Sequence, residues 1–266
     1  MSVLEITGVV TPLGPAGYGE DKGLWTLGVS LRPWRDAAGT LFEKEIFLLK
    51  AGLKLPDLDQ LRAGLPELGL VRLRLSDTPH WREYEAGTKR WEGKLVAVVN
   101  NTVSDEVLAA WVDKQRRSVI VHDPFFGALQ LDRRLNAYDG RRSAGTGSYE
   151  LSLERATEED DDSGQDRELI ERSRSSFEQL ERELPRYMGA AADELLALYN
   201  DTWRNEDEHA VLDLEEFMAS LTLQSARRDA RGHLYIYLSP GDLFAGHWIE
   251  LRTKASGEVT SIGLSG

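Results

Sequence analysis

Asp242 and His247 stand five residues apart in the stretch GDLFAGHW, on either side of a glycine-bearing turn that leads into a strand. A carboxylate that holds one imidazole nitrogen leaves the other free as a general base, so this spacing suits acid–base chemistry such as hydrolysis. Asp132 and Asn200 are polar side chains that the fold could bring to the same place. Tyr199 and Trp203, one helical turn apart, could wall a pocket beside them. A plainer reading competes at each position: Asp242 caps its loop, His247 hydrogen-bonds within a half-buried sheet, and Tyr199 and Trp203 are core.

Residue types exclude much other chemistry. The chain has no cysteine, so disulfides, thiolate nucleophiles and Cys-ligated metals are ruled out. Neither a G-x-x-x-x-G-K-[ST] loop nor a G-x-S-x-G elbow is present. AGTGS at 144–148 lies between two strand candidates and reads as a hairpin. The histidines are His80, His122, His209, His233 and His247, with no H-E-x-x-H or H-x-H, so no metal site and no cofactor are expected. His122-Asp123 resembles a metal phosphohydrolase pair in composition only, because it falls at a strand end. In ERATEEDDDSGQD, Asp160, Asp162 and Gly164 miss the register of an EF-hand loop, and 156–166 reads as a mobile linker.

The elements that must position these residues alternate strands with a few helices. In GLVRLRLSD, Val71, Leu73 and Leu75 face one way and Arg72 and Arg74 the other. WTLGVSLRPW, LFEKEIFLLK and GKLVAVVNN are further strands, and SDEVLAAWVDKQ is a helix capped by Ser104. Short strands closing on themselves with a helix suggest a small barrel, for which an OB-like form is conceivable. From Ser118 a meander follows, with a tight turn expected at Asp139-Gly140. An amphipathic helix comes next over 167–188, which Pro185 is expected to end or kink, and AAADELLALYNDTWRN at 190–205 continues helically. Asp213 and Glu216 form a capping box before LEEFMASL, and strands return to the end. The expected fold class is α+β: residues 1–115 as a β-rich barrel or sheet with one helix, then 116–266 as an antiparallel sheet packed against a helical pair.

Net charge is −13 and falls unevenly: residues 1–115 carry 14 basic and 16 acidic side chains, residues 116–266 carry 18 and 29. An acidic surface repels phosphate backbones and suits a basic protein partner. The one basic-aromatic stretch, Trp81, Arg82, Tyr84, Lys89, Arg90 and Trp91, reads as a packed loop with a solvated rim, so nucleic acid is not the expected partner. No apolar run spans a bilayer and MSVLEITGVV is unlike a signal peptide, so the expected location is cytoplasmic with no membrane partner.

DPFFGALQLDRRLNAYDG, LYNDTW, EEFMASLTLQS and GDLFAGHWIEL, in that order, resemble the bacterial domain-of-unknown-function family 2262 over roughly residues 115–266. The resemblance implies a bacterial cytoplasmic setting and brings no catalytic residues. The expectation is therefore a non-enzymatic binding or interaction protein, with an immunity-like role as one form of it. The alternative is a hydrolase or small-molecule enzyme built on Asp242 and His247.

Overall fold

A computed structural model describes residues 4–20, 23–83, 89–145, 147–156, 164–205 and 210–266. Tyr84, His209 and most of the acidic linker, 157–163, lie outside the described residues. The chain forms two compact units, Met1–Arg117 and Ser118–Gly266.

In the first unit the strands are β1 (Leu4–Val10), β2 (Ala16–Gly19), β3 (Trp25–Arg35), β4 (Leu41–Phe42), β5 (Ile46–Leu53), β6 (Leu70–Leu75), β7 (His80–Glu83) and β8 (Lys89–Asn100). The helices are α1 (Leu55–Ala63) and α2 (Glu106–Arg116). Five strands close a ring: β1 pairs with β3, β3 with β5, β5 with β8, β8 with β6, and β6 again with β1. Only β5–β8 is parallel within this ring, and α1 lies between its third and fourth strands. Alternation explains the filling. Leu27, Val29, Leu31, Val71, Leu73 and Leu75 are fully buried inside the ring, while Arg72 and Arg74 leave its outer side. The α2 cap falls one residue later than expected. Asp105, not Ser104, accepts from the amides of Val107 and Leu108, both at 3.0 Å. A carboxylate there also receives Arg35 Nε at 2.9 Å, which a serine hydroxyl would meet less strongly.

The second unit is one eight-stranded sheet: β9 (Ile120–Asp123), β10 (Gly127–Asp132), β11 (Ala137–Ala144), β12 (Gly147–Glu154), β13 (Thr222–Arg228), β14 (Leu234–Ser239), β15 (Trp248–Thr253) and β16 (Val259–Ser265). Spatial order follows chain order. All pairs are antiparallel except β12–β13, because α3 (Gly164–Leu198) and α4 (Leu214–Ser220) carry the chain back between them. Leu129, Leu151, Leu153, Ile236, Leu238, Ile249 and Leu251 point to one sheet face and share a core with Ile170, Phe177, Leu180 and Tyr187 of α3. The mixed α+β class holds, with 35 residues in α3 alone.

Three local expectations change. The two helices are one, running through Pro185. A mid-helix proline costs about 3 kcal/mol, but α3 is fastened just beyond it: Arg186 donates to the Gly257 carbonyl at 3.0 Å and Tyr187 to the same oxygen at 3.3 Å. The pair packed on the sheet is thus α3 with the short α4, whose Asp213–Glu216 capping box forms as expected. Asp139 and Gly140 lie inside β11, not in a turn. Gly140 faces Leu129 so closely that a Cβ there would lie 2.8 Å from Leu129 Cδ2, so the glycine serves close approach rather than chain reversal. Finally, Asp166 at the end of the linker is buried. It accepts from Arg155 Nε at 2.9 Å and from Tyr138 Oη at 2.9 Å.

Candidate functional site

GDLFAGHW forms the connection from β14 to β15. Gly241, Ala245 and Gly246 all have left-handed backbones, with φ of 62°, 50° and 88°, and this tight coil drives one side chain inward. That side chain is Phe244, with no exposed surface. It meets Tyr199, Trp203 and Phe217 at ring-centroid distances of 5.8, 5.6 and 6.2 Å. Tyr199 and Trp203 belong to a π-helical turn, Tyr199–Trp203, that follows α3. The Phe244 ring fills the space between them.

Asp242 is exposed on this loop, and no hydrogen bond joins it to His247. His247 donates its backbone N–H to the Phe244 carbonyl at 2.9 Å, and its half-buried ring packs edge-on against Trp203 at 5.6 Å. Asn200 grips the backbone of Leu212 in both directions, donating at 2.9 Å and accepting at 3.0 Å. Asp132 ends β10 and accepts from the amides of Arg134 and Leu135 at 2.7 and 3.2 Å. Five strand spacings separate β10 from β15, about 24 Å. The fold therefore gathers Tyr199, Trp203 and His247 around Phe244, sets Asn200 to hold the adjoining chain, and keeps Asp132 remote. Asp123, beside His122, is taken up by the turn amides of Phe125 and Phe126 and by Arg174. Among the described residues no group of three or more His, Asp or Glu is arranged to hold a metal.

A different set of residues collects on the sheet face turned away from α3. Ser225 and Arg227 on β13, Tyr235 and Tyr237 on β14, and Trp248, Glu250 and Arg252 on β15 alternate with the buried aliphatics and emerge on that side. Tyr235 lies between two guanidiniums, with Arg227 at 5.7 Å and Arg252 at 5.6 Å from its ring centre. Those cations pair with Glu154 and Glu250, each at 2.5 Å. Tyr237 and Trp248 meet edge to face at 6.4 Å and, with Ser225, Ser265 and Gly266, line a concavity of about 210 Å³. Burial and the nearby Glu250 carboxylate raise the pKa of Tyr237. The alternation of LYIYLS turns its tyrosines away from the buried Leu234, Ile236 and Leu238.

The same face turns acidic toward β10–β12. Burial pushes Asp139 upward, the Ser152 hydroxyl opposes that, and the Asp132 and Glu150 carboxylates add to the rise. A folded-state pKa above the unfolded value means the charged form is penalised by folding; the penalty is complete above the folded pKa and vanishes below the unfolded one. Asp139→Asn is thus expected to raise Tm at neutral pH, with the gain fading toward about pH 3. Paired thermal melts across that range check it, and a lowered Tm at pH 7 would contradict it.

A family model described as "Uncharacterized protein conserved in bacteria (DUF2262)" matches residues 123–264. No curated protein matches the chain. Among solved structures, a deletion mutant of the single-stranded DNA binding protein from Thermus aquaticus aligns at 12% identity, over 57% of this chain and 74% of that one. Its TM-score of 0.25 carries no argument about this chain.

Proposed function

The chain belongs to the bacterial domain-of-unknown-function family 2262, and from that premise we propose that it is a non-enzymatic cytoplasmic binding protein whose second unit engages a basic protein. Charge distribution carries this reading. With the unit boundary after Arg117, the first unit holds 16 basic and 16 acidic side chains and the second 16 and 29. The whole excess of negative charge thus falls on the unit that the family covers, and a field of one sign both attracts and orients an oppositely charged partner. The exposed face of that unit adds tyrosine, tryptophan and arginine, the side chains that dominate protein interfaces. A basic toxin neutralised by such a surface would be one partner of this kind. Among the described residues no helix is long and apolar enough to cross a membrane. No observed geometry favours the hydrolase alternative, since Asp242 is exposed and not bonded to His247.

The test is a titration of the full chain with a lysine decamer and a glutamate decamer. The lysine peptide is expected to bind, and its affinity to fall about tenfold between roughly 0.05 and 0.5 M salt as the field is screened. Equal binding of the two peptides would overturn the reading.

A further inference from the structure

The second sheet ends in two edges of unequal length. β9 has only four residues, Ile120–Asp123, the last two of them polar, so it offers little edge to a further strand. β16 runs for seven residues, V-T-S-I-G-L-S, with no charged residue and no proline. Among the described residues it pairs only with β15, so alternate backbone N–H and C=O groups of β16 face outward with no strand to receive them. Its inward side chains Ile262 and Leu264 are only partly buried against the core. Its other face is Ser261, Gly263 and Ser265, set opposite Arg252, Glu250 and Trp248. These small residues leave the Trp248 indole open toward the edge, where the concavity lined by Tyr237, Trp248 and Ser265 ends. At about 210 Å³ that concavity is below the range of roughly 300–1,000 Å³ typical of small-molecule sites, but it suits one long side chain.

We propose that β16 is a docking edge for an extended segment of a partner protein in which basic and apolar residues alternate, added to the sheet as a further strand. This rests on the basic-partner reading above. An added strand lies about 4.8 Å beyond β16 and sends alternate side chains to the two faces. On the α3 side, apolar residues complete the cover over Ile262 and Leu264. On the other side, a lysine or arginine stem enters the concavity, with its charge near the faces of Trp248 and Tyr237. Charge decides between this occupant and a second copy of the chain: two second units would each bring an excess of 13 negative charges, whereas a basic segment is attracted.

The experiment uses the full chain and a decapeptide of alternating valine and lysine, with backbone N-methyl groups placed on the valines or on the lysines. Only one set of peptide amides can face β16. The expected result is that one methylated form loses on the order of tenfold or more in affinity, as several hydrogen bonds disappear, while the other loses far less. Hydrogen exchange should slow at 260–265 when the unmethylated peptide binds. Equal affinities for all three forms, without protection of 260–265, would overturn edge docking and leave the basic-partner reading standing. Failure of the lysine–valine peptide to bind better than a glutamate–valine counterpart would overturn both. A free chain that sediments as a dimer, with 260–265 already protected, would make a second copy the occupant and overturn the proposal.

Discussion

Asp166→Ala is expected to cost about 3–5 kcal/mol, because it strips a buried guanidinium of its carboxylate. Arg155 and Asp166 side chains are 6% and 9% exposed, and their 2.9 Å contact joins the end of β12 to the first turn of α3. Tyr138 donates to the second carboxylate oxygen at 2.9 Å, and Arg155 also reaches Asn136 at 3.3 Å. Removing the carboxylate therefore takes from a buried guanidinium and a buried hydroxyl the charged acceptor they share. Replacing both charges together, as Arg155→Met with Asp166→Leu, should cost far less than either single change, since the desolvation penalty goes with the pair. Urea denaturation of the two singles and the double measures the coupling. If Asp166→Ala shifts the midpoint by less than the equivalent of about 1 kcal/mol, the clasp does not hold the helix to the sheet.

That clasp was not legible in the sequence, and the reason is general. Asp166 closes a run of acids with no apolar neighbour, so local composition marks it as solvated; its partner Arg155 becomes a partner only when β12 and α3 pack. What depends on near neighbours read well: the alternation of Val71, Leu73 and Leu75 and the Asp213–Glu216 box. What depends on distant chain did not. Pro185 breaks a helix unless its flanks are fastened, and the Gly257 carbonyl that fastens Arg186 and Tyr187 is about 70 residues away. Gly140 looks like a turn until Leu129 is seen beside it. The site follows the same rule. Spacing placed Asp242 near His247 in the chain, but it could not show that Phe244 between them fills the core and turns the loop around itself.

The consequence for GDLFAGHW is a reversed ranking of its residues. Phe244→Ala is expected to cost about 3–5 kcal/mol, the range for deleting a fully buried phenylalanine, because Tyr199, Trp203 and Phe217 all lose their common neighbour. Relaxation is limited on two sides: Tyr199 and Trp203 sit on a π-helical turn held to Leu212 through Asn200, and the loop backbone is fixed by three left-handed residues. His247→Ala removes an edge-to-face contact with Trp203 and no hydrogen bond to Asp242, so about 1 kcal/mol is expected. Asp242→Ala, on an exposed side chain, should fall within about 0.5 kcal/mol of the parent. The three denaturation midpoints therefore separate widely, in the order Phe244, His247, Asp242. An acid–base site would give another pattern: Asp242→Ala and His247→Ala would leave the melt alone and abolish turnover of a substrate. A Phe244→Ala variant that melts with the parent would show that the aromatic plug is not what shapes the loop.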